Sequence, residues 1–141
     1  DGAIDGQVLR DWVNQTRKLC AEHGRDKIGD QMIGHLMSKC PVGTDDVWPC
    51  EPVRDVLEEV SSRDLAIGLE VAVYNSGGVR FRSNTGADEE RLSTQYRTWA
   101  DKTAFSHPFV SKTLEDIALS FDRDLRRLDI DNNLERRLDR F

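Results

Sequence analysis

Apolar residues recur every three to four positions along almost the whole chain, a spacing that builds helices buried on one side. Residues 4–22 place Ile4, Val8, Leu9, Trp12, Val13, Leu19 and Cys20 on one stripe, with Gly24 as a C-cap. Ile28, Met32, Ile33, Leu36, Met37 and Cys40 make a second stripe, which Pro41 ends. Gly29 and Gly34 lie inside that helix, and close approach of a neighbouring helix would compensate for Gly34. Residues 41–50 are rich in turn formers, with Trp48 expected to plug the loop onto the core. Glu51 and Pro52 suit the first turn of a helix whose stripe is Val53, Val56, Leu57 and Val60. A further helix is expected from Asp88 to Ala104. A last one is opened by Ser106 and Pro108, with Val110, Leu114, Ile117, Phe121, Leu125 and Leu128 inward.

Residues 65–82 read two ways. Leu65, Ile67, Leu69, Val71 and Val73 alternate before the Asn75–Gly78 turn, as in a short β-hairpin. Leu65, Leu69, Ala72 and Val73 equally line a helix capped at Asn75 or Gly77. The helix is preferred, because a lone hairpin has no sheet to join elsewhere in the chain. The expected fold is therefore all-α, an irregular bundle of five to six helices. One helical domain should span 1–128, and the Asp129–Asn133 run should break the last helix before a charged amphipathic tail over 129–141. Leu134, Leu138 and Phe141 on that tail could pack on a protein partner or a second copy.

Composition narrows the function classes. A net charge of −6 and a pI near 5.1 disfavour a phosphate backbone as partner. No run of about 18 apolar residues is present, so no membrane span is expected. Three cysteines leave one thiol without an internal partner, which reads as a reducing, cytoplasmic setting, although a Cys40–Cys50 bridge could close the 41–49 loop. The chain starts at Asp1 rather than Met, as an excised domain would.

Motifs for catalysis are missing from the sequence. There is no Gly-x-Ser-x-Gly elbow, no Gly-x-Gly-x-x-Gly or Walker loop, and no cofactor motif. Cys20, His23, His35 and Cys40 have tolerable zinc spacings. An antiparallel turn at Gly24, however, would carry Cys20 toward residues 27–30 and away from Cys40. Asp129-x-Asp131-x-Asn133 starts like a calcium loop, but Leu134 and Arg140 occupy the places that require Gly and Glu. The richest local chemistry is Tyr74 to Arg82. Two aromatic rings, glycine-exposed N–H groups and the forked guanidiniums of Arg80 and Arg82 suit a carboxylate or phosphate. Those arginines could equally pair with Asp88, Glu89 and Glu90. Trp48, Glu51 and Arg54 would complete a groove beside that loop.

Four strings, Asp26–Asp30, Trp48–Asp55, Tyr74–Val79 and Gln95–Ala100, resemble a helical module at the C-terminal ends of large uncharacterised bacterial proteins. The likeness spans most of residues 20–125, implies a domain of a longer chain and carries no known reaction. The function expected is a non-catalytic interaction or scaffolding module. The alternative is a phosphate- or carboxylate-binding or enzymatic domain using the 74–82 loop.

Overall fold

The structure, a computed structural model, describes residues 5–78 and 87–138. Among these it holds six helices and no strand: α1 (Gly6–Glu22), α2 (Asp26–Met37), α3 (Glu51–Val60), α4 (Arg63–Gly78), α5 (Ala87–Thr103) and α6 (Pro108–Leu138). The hairpin reading of 65–82 is not supported. Leu65, Leu69 and Val73 are buried on one side of α4, while Val71, which the alternating pattern also made core, is exposed. Val71 lies on the solvent side of the helix, and Ile67 is half-buried toward α6.

Each start has a local cause. Asp5 caps α1, its carboxylate accepting the N–H groups of Gln7 at 2.9 Å and Val8 at 3.3 Å. Pro52 stands in the first turn of α3, and Ser61 at φ 47° stops it. The Ser62 hydroxyl accepts the Leu65 N–H at 3.2 Å where α4 begins. Ser106 does not cap α6. Instead Glu58, on α3, accepts the N–H groups of Phe109 at 3.0 Å and Val110 at 3.1 Å. Its charge sits at the positive end of the helix.

Two helix pairs supply most of the packing. Gly34 of α2 abuts the backbone of α4, where an added Cβ would stand 2.7 Å from the Leu69 nitrogen. Gly68 reciprocates against the Gln31 backbone. This is the close approach expected at Gly34, and it repays the helix-propensity cost of glycine. Helices α5 and α6 pair through larger groups. Tyr96 of α5 stacks on Phe121 of α6 at 5.9 Å, and Ser111 on α6 donates to the Ala100 carbonyl at 2.7 Å. Between the pairs lies one core containing Val13, Ile33, Trp48, Val53, Leu57, Leu65, Leu114 and Ile117. Burying each large aliphatic chain stabilises the fold by roughly 1.5–3 kcal/mol.

The Asp129–Asn133 run does not break the last helix, and α6 continues to Leu138. Asp131 and Asn133 are exposed, so their weak helix propensity costs only some tenths of a kcal/mol each (~0.7 at most). Arg136 and Arg137 in the last turn face the negative end of the helix. No helix among the described residues is long and apolar enough to cross a membrane.

Candidate functional site

The residues singled out around the 74–82 loop fall into different settings. Arg80 and Arg82 lie outside the described residues. Tyr74 is on α4, and its hydroxyl donates to the buried Asp124 carboxylate of α6 at 2.8 Å. Trp48 is a core ring rather than a groove wall. It meets Tyr96 edge-on at 5.8 Å and Trp99 at 6.0 Å, and the series continues through Phe121 to Tyr74. Arg54 is buried and holds Asp45 of the 41–50 loop at 2.8 Å. That guanidinium keeps the Asp45 carboxyl below its ordinary range. Glu51 is exposed in the first turn of α3. The structure thus links Trp48 and Tyr74 through intervening rings, and gives Arg54 a loop-holding task.

The cysteine and histidine set is likewise dispersed. Cys20 packs against Gly29, as an antiparallel α1–α2 turn demands, and Cys40 packs against the core cluster that contains Cys50. His23 follows α1 as its C-cap, and His35 is exposed on α2. Among the described residues no three His, Cys, Asp or Glu side chains are grouped to hold a metal.

One arrangement has no counterpart in the sequence reading. The Ser106 hydroxyl lies 2.8 Å from His107 Nδ1, and His107 Nε2 lies 2.8 Å from an Asp55 carboxylate oxygen. Asp55 and His107 are 52 residues apart, so only folding brings them together. Acyl transfer from a hydroxyl also needs N–H donors aimed at the developing oxyanion. The nearby donors, on Phe109 and Val110, are occupied by the Glu58 carboxylate. A negative charge stands where stabilisation of negative charge would be required. Asp55, Glu58, Ser106 and His107 together fasten the α5–α6 turn to α3.

Two surfaces remain as functional candidates. A groove between α4 and α6 contains cavities of 270 Å³ and 430 Å³ that share Glu70. Burial raises the Glu70 carboxyl to about 7, with Asp116 adding to it and Lys112, Arg63 and Arg123 opposing. The larger cavity is bordered by Tyr74, Asn75, Arg123 and Arg127.

The second surface is apolar. Ile28, Met32 and Leu36 on α2 are 59%, 62% and 51% exposed, at i, i+4 and i+8. On α1, Val8, Trp12 and Leu19 are exposed too. The bidentate Arg17–Asp30 pair (3.0 and 3.2 Å) and the Cys20–Gly29 contact join these helices as an antiparallel hairpin. At about 100° per residue, Trp12 precedes core-facing Val13, and Met32 precedes core-facing Ile33, by the same angle. Each helix of the hairpin therefore carries an exposed apolar row beside its buried one. Arg25, His35 and Lys39, each three positions from a member of the α2 row, border it with basic groups. The single stripes expected on α1 and α2 are thus each divided, with Val13, Ile33 and Met37 buried, Leu9 and Cys40 packed against the core, and Val8, Trp12, Leu19, Ile28, Met32 and Leu36 outward.

No family model, curated protein or solved structure matches this chain.

Proposed function

We propose that the protein is a non-catalytic helical interaction module that receives a partner helix on the outer face of the α1–α2 hairpin. The observation that carries this reading is the Ile28–Met32–Leu36 row, exposed over at least half of each side chain while the core beneath is filled. An apolar row of this spacing matches the i, i+4 anchors of an amphipathic helix. The basic border favours a partner with carboxylates beside its apolar stripe. The resemblance noted above supports placement within a larger bacterial protein. Leu134 and Leu138 on α6, both exposed, offer a second apolar contact for a partner or another copy, while Phe141 lies outside the described residues.

The test is binding to an acidic amphipathic helical peptide with leucine at i, i+4 and i+8. The wild type should bind it, and the Ile28→Gln/Met32→Gln/Leu36→Gln variant should lose at least tenfold in affinity while keeping its helical content. Equal binding by both proteins refutes the hairpin face as the site.

A second reading rests on the α4–α6 cavity, where Arg123 and Arg127 stand beside Tyr74 and Asn75 and could receive a phosphate or carboxylate ligand. Arg123→Gln/Arg127→Gln should then abolish any thermal shift given by inorganic phosphate or citrate. Absence of a shift in the wild type removes this reading.

A further inference from the structure

Cys40 and Cys50 stand at the two ends of the loop joining α2 to α3. Cys50 belongs to the buried core cluster, and Cys40 packs against that cluster. The loop between them is held from several directions. The Gly43 N–H donates to the Val47 carbonyl at 2.9 Å, and the Trp48 indole N–H donates to the Cys40 carbonyl at 2.9 Å. From α5, the Trp99 indole N–H reaches the Asp46 carbonyl at 3.0 Å. The two cysteines therefore flank a loop whose ends are drawn into one cluster and whose shape is set by other bonds. The third thiol, Cys20, packs on Gly29 in the α1–α2 hairpin.

We propose that Cys40 and Cys50 form a reversible disulfide site, oxidised by thiol–disulfide exchange with a small-molecule or protein disulfide. One cysteine thiolate attacks the oxidant, breaking its S–S bond, forming a mixed disulfide and releasing one thiolate. The second cysteine thiolate then attacks the protein sulfur of that mixed disulfide and expels the other half of the oxidant. Two protein S–H bonds become one protein S–S bond. The oxidant takes up the two electrons and, with the two protons, leaves as two thiols. Burial pushes the Cys40 thiol up to about 12, with the Cys50 thiol adding to it, so little thiolate is present at neutral pH and exchange is slow. The bridge would close the loop that carries Trp48 into the core, with Cys20 left as a bystander.

The experiment equilibrates the full chain in glutathione buffers from reducing to oxidising and counts free thiols by alkylation and mass spectrometry. The tryptic peptide spanning residues 40–54 contains both cysteines, so the bridge registers as a loss of two hydrogen atoms in that peptide. The expected result is a fall from three free thiols to one, with the remaining thiol on Cys20 and the chain monomeric throughout. The oxidised form should melt roughly 5–10 °C above the reduced form. Cys20→Ser should oxidise in the same way and retain no free thiol, which keeps the test independent of whether Cys40→Ser and Cys50→Ser fold. Three persisting thiols overturn the proposal. So do glutathione adducts on Cys40 or Cys50 that never resolve, or a bridge that includes Cys20.

Discussion

On the inner side of α2, Gly29, Ile33, Gly34 and Met37 are sealed against α1, α4 and the core, whereas on the outer side Ile28, Met32 and Leu36 stand in solvent. The two sides are similarly apolar by composition and differ in what the neighbouring helices do. Inside, glycines let α4 approach until backbone meets backbone, so small changes in volume are felt at once. Outside, large side chains project with no described helix over them. One helix thus carries one face for folding and one that folding leaves unused.

The comparison breaks if the inner face proves tolerant. Ile33→Ala removes a side chain that is 1% exposed and should cost about 2–5 kcal/mol, read by chemical denaturation. A loss under 1 kcal/mol would mean that the inner face is not the tightly packed one. Next in size, Gly34→Ala places a methyl group against the backbone of Leu65 and Leu69. It should destabilise by roughly 1–3 kcal/mol despite alanine's better helix propensity. A stabilised Gly34→Ala protein would show that α2 and α4 can separate at little cost.

A smaller effect is expected across the groove on α4. Glu70 titrates near 7 in the folded state and near 4.5 when unfolded, so folding favours its neutral form. Its contribution is fully present below about pH 4.5 and is lost as pH rises through about 7. The group is half exposed, and solvent screening reduces the effect to under about 1 kcal/mol. Glu70→Gln should therefore raise the melting temperature at pH 8 by some degrees (roughly 2–3 °C) and leave it unchanged at pH 4. An equal shift at both pH values would assign the effect to packing instead. Smallest of all, Ile28→Gln, Met32→Gln and Leu36→Gln should each change stability by no more than about 0.5 kcal/mol.

Helix placement was legible in the sequence, because stripe spacing, Pro52 and the turn residues of the 41–50 loop all act locally. The helices around Leu65–Val73 and Val110–Phe121 bury the residues that periodicity assigned to them. What the sequence did not disclose is how one apolar arc is shared between core and solvent. Val8, Trp12 and Leu19 share α1 with Val13, and only the position of neighbouring helices decides which is covered. The Asp55–His107–Ser106 chain was invisible for a related reason, since Ser106 carries a usual capping signal while the cap comes from distant Glu58. Arg54 was read as exposed chemistry because nothing local announces that Asp45 folds back onto it.

The most direct measurement is a titration of the acidic amphipathic peptide followed by fluorescence of a Trp48→Phe/Trp99→Phe protein, in which the remaining Trp12 reports from the hairpin face. Trp12 emission should show a saturable blue shift, lost in the Ile28→Gln/Met32→Gln/Leu36→Gln background at unchanged far-UV circular dichroism. Saturable binding of the peptide with Trp12 emission unmoved, or a shift that survives the triple substitution, would contradict docking on the hairpin face.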